Sequence, residues 1–328
     1  MPVAPDTPMK GDMAMQRRHL LGLLAAAPWM AAARAADGPM PVAVNQTTIE
    51  SGPLLIGNPK GLRVVRLPNG RAASAQLVAG QVDAATGSET QATLSAVLQP
   101  QLRIILTLAE CHYRMVGRRS AGIGRIADLR GKRVAYTPAT SSEYFLRVML
   151  RSAGLDLADV TPVRLEPEAM PPALANRQAD AMAMWEPHPQ NAIDLLGEDA
   201  IVMVDPAKPP HAYFERFNLN TTTTVLDDPR RRGALVRAVR TVAEVSHELT
   251  ANPRKHWPAL SRAVNAPVEV IAKAWPQFRF PARLDTESLL TVLTDMEPWA
   301  ASVQKREARP RAVLAGMMDP SVAREAGR

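Results

Sequence analysis

IADLRGKRVAYTPATSSEYFLRVMLRSAG, residues 126–154, is the stretch whose reading decides the fold. Residues 133–136 make a short apolar strand, and Thr137-Pro138-Ala139 is a turn. Thr140-Ser141-Ser142-Glu143 has the spacing of a capping box, which opens a helix over 141–153 carrying Phe145, Val148 and Met149. Gly154 then ends the helix, because glycine most readily adopts the left-handed conformation after a last turn. The same grammar follows at once. Residues 163–165 are a strand, Pro171-Pro172 open a helix to Gln178, and 181–184 form a buried strand running into Trp185-Glu186-Pro187-His188. Strand–helix–strand alternation of this kind implies α/β architecture.

Working outward, the flanking sequence repeats the pattern. Residues 42–44 read as a first strand, followed by a polar turn at 45–51, and 62–67 alternate with period two as a second strand. A helix over 71–79 closes at Gly80, and further strands fall at 82–85 and 104–108. Residues 113–117 read as an extended connection. After a strand at 201–204, residues 214–226 read as a second one. The remainder is helical, with starts at Asp228-Pro229, Asn252-Pro253, Pro267 and Asp285. The tail from Arg306, with its five arginines, is expected to fray. The arrangement implies two α/β units, with 118–215 inserted between 36–117 and 216–328. Strand-end loops of both units would face one cleft.

Composition agrees with this size of assembly. At roughly 150 residues per domain, 328 residues suggest two domains. With 46% hydrophobic and 22% charged residues the chain can bury a core, which excludes global disorder. The single cysteine, Cys111, excludes an internal disulfide, a CxxC redox pair and a Cys-rich zinc site. The formal charge of +7 is spread singly among acids, without a polybasic run or interleaved aromatics, which argues against nucleic acid as a partner. A diffuse positive field instead suits small anions.

Residues 15–37, MQRRHLLGLLAAAPWMAAARAAD, read as an export signal: a basic Arg17-Arg18, a short apolar region over 20–33, and the A-x-A site Ala33-Arg34-Ala35. The Arg pair with His19-Leu20-Leu21 resembles the twin-arginine motif, although Gln16 stands where that motif prefers Ser or Thr. Removal of 1–35 is expected to leave a soluble periplasmic protein of charge +5, with no cysteine at the new terminus for a lipid anchor.

At "IADLRGKRVAY", "TSSEYFLRVMLRSAGLDLADVTPVRLEP" and "ALANRQADAMAMWEPH" the chain resembles the substrate-binding proteins of ABC importers. The likeness is to the nitrate-, sulfonate- and taurine-binding group with an NMT1/THI5-like domain. Upstream, "LVAGQVDAATGS" resembles the first-lobe segment of the same family. The likeness runs over about residues 40–305, and it rests on the order of the blocks, since none is diagnostic alone. It implies a bilobal, type II venus-flytrap fold, two doubly wound lobes on a two-segment hinge. It also implies a monomer that closes on a small molecule and delivers it to an ABC permease with its ATPase, without cofactor, metal or chemistry.

Candidate ligand contacts come from the loops that would face the cleft. Thr140, Ser141 and Ser142 sit at a helix N-terminus, whose free N–H groups and dipole favour an anion. Trp185 can wall a pocket and Glu186 can accept from a ligand ammonium; the family's matching segment lines its cleft. His188 reads as a partly exposed helix residue. Thr86, Ser88 and Glu89 follow one first-unit strand, and Gln46 to Ser51 follow another. Glu110 and His112 flank Cys111 just before the first connection; adjacent residues of an extended chain point to opposite sides, so the three do not suit one catalytic or metal centre. Gly131-Lys132 lacks the earlier glycine of a phosphate loop, and no HExxH, GxSxG or GxGxxG is present.

Two other classes share this scaffold. Enzymes related to thiamine-pyrimidine synthesis carry a Cys-rich motif that this chain lacks, and a ligand-sensing subunit of a receptor would use the same closure. For the solute, an oxyanion such as a sulfonate suits the helix N-terminus. Glu89, Glu110 and Glu186 instead suit an aminated or heteroaromatic compound.

Overall fold

The computed structural model describes residues 38–203 and 213–327. The expected export segment, residues 1–35, lies outside the described residues.

Along the chain, β1 (Met40–Asn45) leads through a 3-10 turn into α1 (Gly52–Gly57), β2 (Leu62–Leu67), α2 (Gly70–Val78), β3 (Ala84–Ser88), α3 (Glu89–Ser95) and the long β4 (Leu102–His112). Tyr113 alone separates β4 from β5 (Arg114–Arg118). Then come β6 (Arg133–Tyr136), α4 (Ser141–Ser152), β7 (Thr161–Arg164), α5 (Met170–Ala175), β8 (Ala181–Met184), α6 (His188–Leu196) and β9 (Ala200–Met203). β10 (Phe214–Thr222) is followed by α7 (Thr223–Leu226), α8 (Pro229–Ala251), α9 (Pro253–Val264), α10 (Val268–Ala274), β11 (Phe278–Arg279) and α11 (Thr286–Gln304). The chain closes with α12 (Arg311–Ala315) and α13 (Ser321–Ala326).

The strands form two sheets, β11-β4-β10-β3-β1-β2 and β7-β6-β8-β5-β9. β1, β2 and β3 run parallel, as do β6, β7 and β8, and their neighbours β10 and β5 run antiparallel to them. The buried parallel strands lack polar alternation: every residue of β1 (MPVAVN) and β8 (AMAM) is buried, since helices cover both faces. Helix starts follow the expected caps. Asn69, Ser88, Asp228 and Asp285 each accept a backbone N–H of the first turn, and Pro229 supplies a preset N1 residue. At α4 the Thr140 hydroxyl accepts from Ser142 N at 3.2 Å, but Glu143 reaches past the cap to accept from Ala139 N at 2.9 Å.

Three expectations are corrected. The segments read as extended connections, 113–117 and 214–226, are largely strands paired inside the sheets: β5 lies between β8 and β9, and β10 between β3 and β4. Thr86 and Gly87, read as loop, belong to β3 and pair with Leu219 and Asn218 of β10. The tail does not fray. Leu314 and Val322 are fully buried, and Met317 O and Asp319 N bond the backbone of Ile104 at 2.7 and 2.9 Å. Arg306 and Arg309 are drawn inward by the buried Glu297 carboxylate, at 2.5 and 2.8 Å. Burial pushes that carboxyl up, but the bonds from Arg309 and Arg306 outweigh it and hold it at about 2.

Candidate ligand-binding cleft

Loops from both sheets meet around a cavity enclosing about 580 Å3 of empty space, its open mouth included. The first sheet contributes Asn45, Thr48 and Glu50 after β1, Asn69 to Arg71 at the start of α2, and Ser88 and Gln91 at the start of α3. The second contributes Thr137, Thr140 and Ser141 before and at the start of α4, with Trp185 after β8. Tyr113 comes from the link between β4 and β5, and Glu215 and Phe217 come from β10.

Hydrogen bonds hold the two sides together. Arg71 Nη2 donates to Pro138 O at 2.9 Å across the mouth, and the Tyr113 and Ser141 hydroxyls meet at 2.8 Å inside. Further out, Trp299 Nε1 donates to Glu143 Oε1 at 3.2 Å and Lys273 pairs with Asp194 at 2.9 Å. Tyr113 is the centre of an aromatic group, with ring centroids 5.4 Å from Tyr213, 5.5 Å from Phe145 and 6.2 Å from Trp185.

The floor is acidic. Burial pushes the Glu50 carboxyl up to about 8, and the neighbouring Glu186 adds to that push. Glu50 is 1% exposed, and its Oε2 has no hydrogen-bond partner among the described residues. Burial also raises Glu215 well above the carboxylate range, helped by Glu50 and Glu89, although the Tyr113 and Ser141 hydroxyls bond it. Cys111, behind them, is held as a thiol by burial and by Glu50, Glu186 and Glu215. A thiol so disfavoured as thiolate is a poor nucleophile. Among the described residues no group of three or more His, Cys, Asp and Glu is placed to hold a metal ion.

Of the residues singled out from the sequence, Ser88, Thr140, Ser141 and Trp185 line this cavity. The others lie elsewhere. Thr86 Oγ1 accepts from Asn45 N at 3.1 Å inside the first sheet. Glu89 is buried, accepting from the Tyr213 hydroxyl and from Arg216 N, and burial outweighs those bonds to push it up to about 7. Glu110 stands on β4 opposite Arg216 and Arg279, and His112 rests on the Phe214 ring at 5.2 Å. Gln46 lines a separate groove with Arg66 and Arg262, and Ser51 is buried beneath the β1 loop. Glu186 is fully buried in an ion pair with Arg114 at 2.5 Å. His188, expected to be partly exposed, is 8% exposed beside Trp185, and burial pulls its imidazole down to about 4.

Ser142 is also turned away from the cavity. Its hydroxyl donates to Ala183 O at 2.8 Å and accepts from Thr137 N at 3.0 Å, so it staples α4 to β8 and to the loop after β6. Ser142→Ala should therefore cost about 1–3 kcal/mol of stability, the usual cost of orphaning buried backbone groups. Urea denaturation checks this, and an unchanged midpoint would contradict the staple. Sequence reading held Glu50 only within the loop Gln46 to Ser51, without singling it out, and passed over Tyr113 and Glu215. The usable signal for the last two was their position, since segments that cross between two lobes form the floor of any cleft between them.

A sequence model of the family described as NMT1/THI5 like matches residues 59–254. Over 155 residues the chain is 30% identical to a protein of Escherichia coli (strain K12) named as an aliphatic sulfonates-binding protein, covering 46% of this chain and 45% of that one. Over 138 residues it is 29% identical to a protein of Brucella abortus (strain 2308) named as a binding protein, covering 41% of each. The chain thus spans less than half the length of the curated relatives it matches. Its structure is similar to that of the alkanesulfonate-binding protein SsuA from Xanthomonas axonopodis pv. citri bound to MOPS. The TM-score is 0.68 at 15% identity, over 85% of this chain and 97% of that one, a likeness that shows the shared fold.

Proposed function

The chain belongs to the NMT1/THI5-like family, and from that premise we propose that it is an extracytoplasmic solute-binding protein. It captures a small molecule between two lobes and hands it to an ABC permease with its ATPase. In this reading 36–117 with 216–328 form one lobe and 118–215 the other, and the chain works in the periplasm after loss of residues 1–35. One observation carries the proposal. The cavity is lined by loops of both sheets, with Tyr113 of the β4–β5 link and Glu215 near the start of β10 in its floor, and is bridged at its mouth by the Arg71–Pro138 bond. A site so built opens and closes by rotation about its own floor.

The reading includes no chemical step, and the buried Cys111 thiol supports that. The relatives named for sulfonates make a sulfonate one solute to test, with Ser88, Thr140 and Ser141 as hydroxyl donors. An aminated compound is the other.

Native mass spectrometry of protein purified from the periplasm should reveal a non-covalent small molecule. Adding that compound back to stripped protein should lower the radius of gyration in solution scattering and raise the melting temperature, by ~2.7 kcal/mol of stabilisation at one hundred times Kd. Stripped protein that takes up nothing and keeps its radius of gyration against a metabolite extract would overturn the proposal.

A further inference from the structure

We propose that the solute is an organic cation, an amine or quaternary ammonium on a compact apolar body, with its charge seated against Glu50 and Glu215. The inference rests on the solute-binding reading and deepens it.

Charge bookkeeping around the cavity favours a cation. Among the described residues the acids lining it are Glu50, Glu166 and Glu215 and the one lining base is Arg71, which donates to Pro138 O at the rim. Nearby arginines are already engaged: Arg114 with Glu186 and Gln190, and Arg216 with Ser288 through its guanidinium. Glu50 and Glu215 are 1% and 4% exposed, so water screens neither well. A buried polar atom without a partner calls for an explanation, and among the described residues Glu50, which lines the cavity, has such an atom in its buried Oε2. An ammonium group would give it a donor and a counter-charge, whereas a sulfonate would add a negative charge beside two carboxyls. The remaining wall suits a cation as well, since the aromatic residues Tyr113, Trp185 and Phe217 line it and an alkylammonium is attracted to aromatic rings. A bare metal ion does not fit that wall, because hard cations need six or more oxygens.

The groups around Glu50 set the sign of the pH dependence. They are Cys111 from β4, Glu186 after β8 and Glu215 from β10, with Tyr113 between the sheets. None of these is cationic, so a carboxyl raised to about 8 gives up its proton when a cation arrives. Affinity for a cation then rises with pH. If the carboxyls instead stayed protonated and donated to an anion, affinity would fall with pH.

Two charge series test this by calorimetry at pH 6.0 and 8.5: 2-phenylethylamine, 2-phenylethanol and 2-phenylethanesulfonate, and choline with its neutral isostere 3,3-dimethylbutan-1-ol. At least one cation should bind ten-fold or more tighter than its neutral partner, more tightly at pH 8.5, with the sulfonate weaker than both. Glu50→Gln and Glu215→Gln should each lose about ten-fold and flatten the pH dependence, with melting curves confirming that each variant folds. If one fails to fold, the other and the wild-type pH series still decide. A sulfonate or neutral compound that binds as tightly as the cation overturns the charge inference and leaves the solute-binding reading standing. If no probe binds, the exact mass of the co-purified molecule decides: a cation supports the inference, and an anion or neutral molecule overturns it. Absence of any co-purified or added solute overturns both readings.

Discussion

Between pH 5 and pH 8 the unliganded protein should lose several kcal/mol of stability. Burial lifts Glu50 to about 8 and Glu89 to about 7. In the unfolded chain both ionise near 4.5, so above that pH the folded state holds protons that the unfolded state has released. Stability then falls as pH rises, by about 1.4 kcal/mol per unit for each such group until its folded value is passed. Glu215, raised in the same direction, adds to the slope. Other groups close the acid side. His188, pulled down to about 4 by burial, costs stability as pH falls from its ordinary 6.5 towards 4. Asp180 and Glu297, both held at about 2, cost stability below the ordinary carboxylate range. The optimum should lie near pH 5. Urea midpoints at pH 5, 6.5 and 8 measure it, and Glu50→Gln should raise the pH 8 value and flatten the curve. Stability that climbs from pH 5 to pH 8 would mean that these carboxyls are ionised without any solute present.

The framework was legible because its signals are local. Thr140 at the start of α4 and Gly154 at its end, Asp228-Pro229, and the apolar runs of β1 and β8 each need only neighbouring residues to be read. The floor of the cavity was not legible, because its character is set by partners far away in sequence. Nothing near Glu186 reveals that Arg114, 72 residues earlier, neutralises it, and nothing near Glu50 reveals that its Oε2 has no partner among the described residues. β10 read as a connection because its partners, β3 and β4, lie more than a hundred residues upstream. Adjacent serines show the finest limit. Ser141 and Ser142 are one helical step, about 100°, apart, which turns Ser141 to Tyr113 and Ser142 under α4 to Ala183. Composition misled at the tail, where the arginine-rich segment is anchored by Glu297.

Glu186→Ala should cost about 3–5 kcal/mol of stability, because it strips a buried cation of its counter-charge. Arg114 Nε bonds Glu186 Oε1 at 2.5 Å and its Nη2 bonds Gln190 Oε1 at 3.0 Å, while Glu186 Oε2 accepts from Gln190 N at 3.3 Å. Removing the carboxylate leaves the guanidinium with one neutral acceptor and frees a backbone N–H at the start of α6. Burial raises the Glu186 carboxyl despite the opposing pull of Arg114, so the pair is costly to form and costlier to break. Arg114→Met with Glu186→Leu, two apolar side chains of similar length, should therefore recover most of the loss. The single variant has a second consequence. Glu186 is one of the charges that raise Glu50, so its loss should lower the folded Glu50 value, and the fall in stability should be smaller and end at lower pH. A ligand contact would behave differently, with the Glu186→Ala protein keeping its midpoint and losing solute. Denaturation and calorimetry on the same preparation separate the two, and a stable variant that no longer binds would return Glu186 to the ligand site.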